Sequence, residues 1–323
     1  MRKILATMAI ALVPTVASAE ENNTFDGYGS VAAGYSSIDM GEYSYEYGYF
    51  YEGGPYGSSG NVDSKDRGLD LEGRVSAAVP LAGALGAQFD GTYSHVNFKN
   101  NNCSSCSSDY DESTVALHAF VRNPNKGLIG LVGQRTRQKW QYSPGQNVFY
   151  VGVDSQLFMG RVTYSGQMGY AKADDYGYLS TDGLNASIQF RYFPTDNLSF
   201  AVRGGHEFMK STPNSDSGYN CPTYCQTQRM TAWNAGAKVE FRPGGSRFSF
   251  LADVDYVDYK YKYDYMDYDY YYYNNSQAAK GFRALIGVKV NFGSQTLFER
   301  DRSGASLDPF HTHFNSISNR NED

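Results

Sequence analysis

Residues 184–192 read LNASIQFRY, and residues 282–292 read FRALIGVKVNF. In the first stretch Leu184, Ala186, Ile188, Phe190 and Tyr192 occupy every second position, with Asn185, Ser187, Gln189 and Arg191 between them. In the second, Phe282, Ala284, Ile286, Val288, Val290 and Phe292 alternate with Arg283, Leu285, Gly287, Lys289 and Asn291. A period of two places each set on one face of an extended strand, whereas a helix would scatter it around its circumference. Each stretch is also about as long as a tilted strand needs to cross a bilayer, roughly ten residues.

The same alternation recurs over 24–38, 68–79, 85–98, 113–122, 127–138, 148–158, 161–172, 183–192, 198–209, 229–241, 247–259 and 279–292, about twelve strands in all. The stretch 127–138 is the least regular, since Leu128, Ile129, Leu131 and Val132 put apolar residues on both faces. Connections alternate strictly in length. The short ones, 80–84, 123–126, 159–160, 193–197 and 242–246, carry turn-forming Gly, Pro, Asn and Asp. The long ones are 39–67, 99–112, 139–147, 173–182, 210–228 and 260–278. The expected fold is therefore all-β: a transmembrane antiparallel up-and-down β-barrel over residues 20–292, with short turns on the periplasmic side and long loops outside.

The N-terminus explains how such a chain would reach a membrane. Arg2 and Lys3 precede an apolar run from Ile4 to Val16, and Ala17, Ser18 and Ala19 form a small-x-small cleavage site. We read residues 1–19 as a cleaved signal peptide and Glu20 as the mature start. No later apolar run approaches the ~18 to 20 residues of a membrane helix, and the mean hydropathy is −0.52. A helical membrane protein is thereby excluded.

Composition agrees, with 29 Tyr, 19 Phe and 34 Gly against 10 Pro. Aromatic and β-branched residues suit a pleated surface. The formal charge is −6, and losing Arg2 and Lys3 leaves 26 basic against 34 acidic residues, or −8. That balance opposes nucleic-acid binding, which needs a basic face. A secreted β-sandwich would also show regularly spaced strands, but not charged faces opposite aromatic-rich ones across a dozen of them.

With these features the chain resembles the porin-like outer-membrane β-barrel family over residues 24–292. Gly287, Val290 and Phe292 match the glycine, hydrophobic and terminal aromatic positions of that family's last-strand assembly signal. Leu285 stands where a polar residue is usual, and residues 293–323 continue past the terminal aromatic. The resemblance implies a bacterial outer-membrane location, contact with outer-membrane lipids, recognition by the barrel assembly machinery and a channel for small hydrophilic solutes.

If the apolar faces meet lipid, the opposite faces line a lumen. Its acidic residues are Asp70, Glu72, Asp90, Asp154, Glu207, Glu240, Asp253 and Asp255; its basic residues are Arg74, Arg122, Arg161, Arg191, Arg203, Lys238, Arg283 and Lys289. The two signs balance, so the expectation is either a salt-bridged, mostly filled interior or a narrow, weakly selective pore.

The long loops have their own chemistry. Tyr43, Tyr45, Tyr47, Tyr49 and Tyr51 alternate with other residues, and Tyr261, Tyr263, Tyr265, Tyr268 and Tyr270 are interleaved with Asp258, Asp264, Asp267 and Asp269. Their period of two suggests hairpins projecting beyond the membrane, and closure of the barrel would make them neighbours. Such a tyrosine and carboxylate patch could bind an extracellular ligand or partner, or could simply be an aromatic girdle with a solvated loop. This is the second functional reading, a closed structural or surface-interaction barrel with an adhesion or receptor role. Cys103, Cys106, Cys221 and Cys225 fall in two of these loops and are candidates for disulfides rather than zinc ligands.

No nucleophile and base stand at recognisable spacing, so His95, His118, His206, His311 and His313 read as structural or solvated and no enzyme is expected. No cofactor or metal is expected either. The segment 293–323, rich in Ser, Asn and charge, reads as a periplasmic tail that is disordered or loosely held.

Overall fold

The computed structural model describes residues 25–49, 56–100, 107–140, 145–176, 179–213, 224–267 and 271–309. Among them are twelve strands: β1 Asp26–Tyr49, β2 Tyr56–Ala82, β3 Leu85–Asn100, β4 Ser107–Asn123, β5 Gly127–Trp140, β6 Gln146–Met159, β7 Val162–Tyr176, β8 Leu179–Thr195, β9 Leu198–Pro213, β10 Tyr224–Phe241, β11 Phe248–Asp267 and β12 Tyr271–Phe292. One short helix follows, α1 Leu297–Ser303. Each strand pairs antiparallel with the next, and β1 pairs with β12, from Gly27 opposite Phe292 to Tyr49 opposite Tyr271. The sheet closes into a barrel with no free edge.

Every stretch that alternates in the sequence is a strand, and several extend further at the long-connection end. The connection expected at 39–67 is mostly strand, since β1 runs to Tyr49 and β2 begins at Tyr56. The connection expected at 260–278 shortens likewise between β11 and β12. As the tyrosine alternation suggested, both hairpins continue the sheet. Tyr45 lies opposite Asn275 and Tyr47 opposite Tyr273, so they are also neighbours.

The alternation sorts the faces. Along β6 inward residues are buried and outward ones exposed in strict succession from Tyr150 to Met159. Outward positions form an apolar belt that includes Leu117, Leu131, Val151, Leu184, Phe200, Phe250 and Ile286. Such a surface is stable only in hydrocarbon. Placing a charge in the middle of this belt should therefore be costly. The Ile286→Arg barrel, with Ile286 72% exposed on β12, is expected to lose about 2–4 kcal/mol in reversible denaturant unfolding from lipid vesicles.

The chain does not leave the barrel after β12. Gly293 has φ +90° and turns it inward, where a Cβ would stand 2.5 Å from the Phe25 carbonyl oxygen. Thr296 caps α1 by accepting from the Glu299 N–H, and Glu299 reaches back to the Gln295 N–H. Residues 294–309 then lie within the short-turn end of the barrel. For residues 294–309 this corrects the expectation of a loosely held tail, because their few apolar groups and many polar ones find partners on the inner wall; residues 310–323 lie outside the described residues.

Candidate functional site: the barrel interior and its C-terminal plug

The plug is held by groups that the strands already present inward. Asp26, at the start of β1, accepts from Ser294 N–H and Oγ–H through one oxygen and from Ala305 N–H through the other, clasping both ends of the segment. Arg300 donates to Glu240 at 2.8 Å and to Asn291, while Lys289 donates to the same Glu240 oxygen at 2.9 Å. Asp301 accepts from Arg191 at 2.6 Å and from Thr163, and Asp308 accepts from Arg74 at 2.6 Å. Arg122 donates to the Gly304 carbonyl and Ser306 Oγ, and Gln88 exchanges hydrogen bonds with the Leu307 backbone.

Apolar contacts complete the seat. Leu307 packs with Phe120 and Leu128, which explains the inward apolar residue that blurred the β5 pattern. Phe298 meets Phe193 edge-on, with ring centroids 5.4 Å apart. Tyr28 offers its ring to Lys289, Arg300 and Arg74, a cation–π cluster under the plug. Desolvation alone would raise the Asp308 carboxyl, but Arg74, Lys238 and Arg191 outweigh it and hold it well below the usual carboxylate range.

Further along the lumen lies a charged layer. Arg283 bridges Asp70 at 2.7 Å and Glu72 at 2.9 Å, and Asp70 also accepts from Ser36 and Ser94. Arg203 bridges Asp253 at 2.7 Å and Asp255 at 2.5 Å. His118 is fully buried between Asp90, at 3.2 Å, and Asp154, at 2.6 Å. Glu207 is buried and Lys238 half-buried. Fifteen of the sixteen residues expected in the lumen thus face inward. The exception is Arg161, which sits in the β6–β7 turn, half exposed and paired with Asp196 at 3.0 Å. Alternation at a turn residue did not carry over, because the turn breaks the parity of the strand.

Beyond the charges, toward the long-connection end, the inner wall becomes apolar. Ile38, Val96, Phe98, Tyr110, Trp140, Val148, Met209, Met230, Val257 and Tyr259 belong to one buried cluster, with Tyr261 packed against it. Phe98 and Trp140 stack with centroids 5.8 Å apart, and Tyr110 leans on Trp140 at 4.8 Å. This collar adds an apolar inner surface to the ionic positions expected to line the lumen. The parity was visible in the sequence, since Asp253, Asp255, Val257, Tyr259 and Tyr261 share one face of β11. Between collar and plug lies a cavity of about 260 Å³.

The remaining sequence candidates separate. Gly287 faces inward against Ala32, while Val290 and Phe292 are on the outer side and β12 ends at Phe292. Tyr43, Tyr45, Tyr47 and Tyr49 are in β1, and Tyr263 and Tyr265 are in β11. Cys225 lies in β10 opposite Met266. Tyr51, Tyr268, Tyr270, Cys103, Cys106, Cys221, His311 and His313 lie outside the described residues, as do residues 1–24 with the expected signal peptide.

Comparison with known proteins supports this architecture. An outer-membrane channel from Pseudomonas putida F1 superposes with a TM-score of 0.52 at 11% identity, covering 86% of this chain and 100% of that one. The chain has the fold of the bacterial outer-membrane β-barrels. The outer-membrane protease OmpT of Escherichia coli matches at a TM-score of 0.35 and 9% identity, covering 83% of this chain and 97% of that one. A Pseudomonas aeruginosa FadL homologue matches at 0.30 and 9%, covering 82% and 90%. No family model matches the sequence, and no curated protein matches it either.

The Glu240 site is the most sensitive point of the plug, since one carboxylate serves two buried cations. In the Glu240→Leu barrel Arg300 and Lys289 lose their anion, at a cost of about 3–5 kcal/mol. Limited trypsin digestion followed by mass spectrometry is expected to show cleavage after Arg300 and Arg302 in the variant and protection of both in the parent.

Proposed function

We propose that the chain is an outer-membrane channel for small hydrophilic solutes, weakly selective for charge and shut at its periplasmic end by its own C-terminal segment. One observation carries the reading. The plug is a terminal segment seated by ion pairs and hydrogen bonds, so it can leave without breaking the barrel ladder. A lumen that merely needed filling could be filled more stably by apolar side chains than by buried ion pairs. Balanced charge on the wall supports weak selectivity, because a strongly selective pore gathers one sign at its constriction.

No enzymatic role enters this proposal. His118 has two carboxylate partners, Asp154 and Asp90, that its sequence spacing concealed.

Ending the chain at Gly293 removes the plug and leaves every strand intact. In planar bilayers this truncated barrel is expected to give stepwise currents several times larger than the full chain, with a reversal potential near zero in a salt gradient. No steps from a correctly folded truncated barrel would overturn the channel reading.

A second reading is favoured by the length of the β1–β2 and β11–β12 hairpins. These strands run 20–27 residues, against 14–18 for the others, and form one continuous wing. In this reading the tyrosine-rich wing serves adhesion or reception outside the cell. Deleting residues 260–274 should then reduce surface attachment or phage adsorption of cells carrying the barrel, with unchanged bilayer currents.

A further inference from the structure

The outer surface of the barrel carries a row of charges that the sheet alone disfavours. Near the long-connection end, Arg229 of β10 stands directly opposite Lys210 of β9 on one side and Lys262 of β11 on the other. All three point outward. Along their strands they share parity with Phe208, Trp233 and Tyr256, which are exposed on the outer face. Like charges directly opposite one another on neighbouring strands destabilise a sheet, and here two such pairs form one row. Among the described residues none of the three side chains has an ion pair or a hydrogen bond.

The carboxylates nearby do not answer the row. Asp182 of β8 lies opposite Lys210 but accepts from the Tyr170 hydroxyl, and Asp258 of β11 lies opposite Lys280 of β12. Asp264, two positions beyond Lys262, is opposite Thr227 and Asn274. Lys260, two positions before Lys262 and also exposed, adds a fourth cation to the same face. On a chain whose formal charge is −6, this sector is locally positive and lacks an anion of its own.

Height narrows the source of that anion. Trp233, with its ring centroid 4.2 Å from that of His206, is 64% exposed on the outer face. Exposed Trp and Tyr mark the boundary between hydrocarbon and headgroups. Arg229 lies four positions beyond Trp233 on the same face of β10, roughly 13 Å along a tilted strand at about 3.3 Å per residue. Long Lys and Arg side chains cover apolar surface with their stems and keep their charges among the polar groups of the interface. The row therefore faces lipid headgroups rather than the lumen.

Charge narrows its chemistry. Neighbouring strands are about 4.8 Å apart, so the three cations span roughly 10 Å. A phosphate monoester carries about −1.5 to −2 near neutral pH and offers three strong acceptor oxygens, enough for one guanidinium and two ammonium groups together. A phosphodiester has a single charge to share among them.

We propose that Lys210, Arg229 and Lys262 bind a phosphate monoester on the headgroup of an outer-leaflet lipid, with Arg229 at the centre and a lysine on either side. This site stands whether or not the lumen conducts.

The test uses the full-length barrel in an uncharged detergent, with lipid A as the probe because its sugar headgroup bears phosphate monoesters. Native mass spectrometry reads the lipid retained. Arg229→Gln should weaken retention roughly five- to tenfold, and the triple variant Lys210→Gln, Arg229→Gln, Lys262→Gln roughly a hundredfold. A second triple variant, Arg137→Gln, Lys139→Gln, Lys172→Gln, removes equal charge from the exposed face of β5 and β7 and should retain lipid A as the parent does. Equal losses in the two triple variants would overturn the site in favour of attraction to surface charge at large. Equal retention of phosphatase-treated lipid A or of phosphatidylglycerol would overturn the monoester assignment. Displacement of lipid A by an equal concentration of inorganic phosphate would overturn the lipid as its source.

Stability supplies a second measurement. In phosphatidylcholine vesicles the Arg229→Gln barrel should resist urea at least as well as the parent, because repulsion within the row is relieved. Adding lipid A should make the parent the more stable of the two. A parent that gains nothing over Arg229→Gln on that addition would overturn the proposal.

Discussion

The pairing of β1 with β12 is the contact on which the rest of the structure depends. Within hydrocarbon a free strand edge would leave a row of N–H and C=O groups without partners, so a spanning sheet has to close. Closure by this register, Gly27 against Phe292 through Tyr49 against Tyr271, fixes which face of every strand meets lipid. The apolar face goes outward. The Asp, Glu, Arg and Lys residues of the alternate positions are then confined to a narrow interior, where each needs a partner.

That confinement explains the layering. Near the middle, carboxylates and guanidinium groups from different strands satisfy one another, as Arg283 does with Asp70 and Glu72. At the short-turn end the wall alone is not self-sufficient: Arg74, Arg122, Arg191 and Asp26 all find their partners on residues 294–308. The plug and the wall are complementary halves of one polar network. At the opposite end the inner wall carries Trp140, Phe98 and Tyr259, which need no ionic partner and narrow the lumen by packing. A cavity is left between an ionic plug and an apolar collar.

The plug and the collar also differ in how they are joined to the sheet. Among the described residues the plug joins the barrel wall covalently at Gly293 and belongs to no strand of the sheet. The collar is built from strand residues, and only its side chains can move.

Much of this was legible in the primary structure. The twelve alternating stretches, the outward apolar belt, the projecting tyrosine hairpins and fifteen inward ionic residues followed from a period of two, because pleating ties position to face without reference to distant residues. The exceptions have local causes: Arg161 lies in a turn, and Leu128 is inward and apolar because Leu307 rests on it. What the sequence by itself determined was therefore the barrel and the sign of its faces. Only the tertiary structure decided that the polar C-terminal segment plugs the lumen, that His118 lies between Asp90 and Asp154, and that the inner wall changes from ionic to aromatic along its length. Those facts depend on strand register and on the tilt of a closed sheet, which bring together groups up to 279 positions apart. Alternation along one strand says which way a residue points, and nothing about what it meets across the lumen.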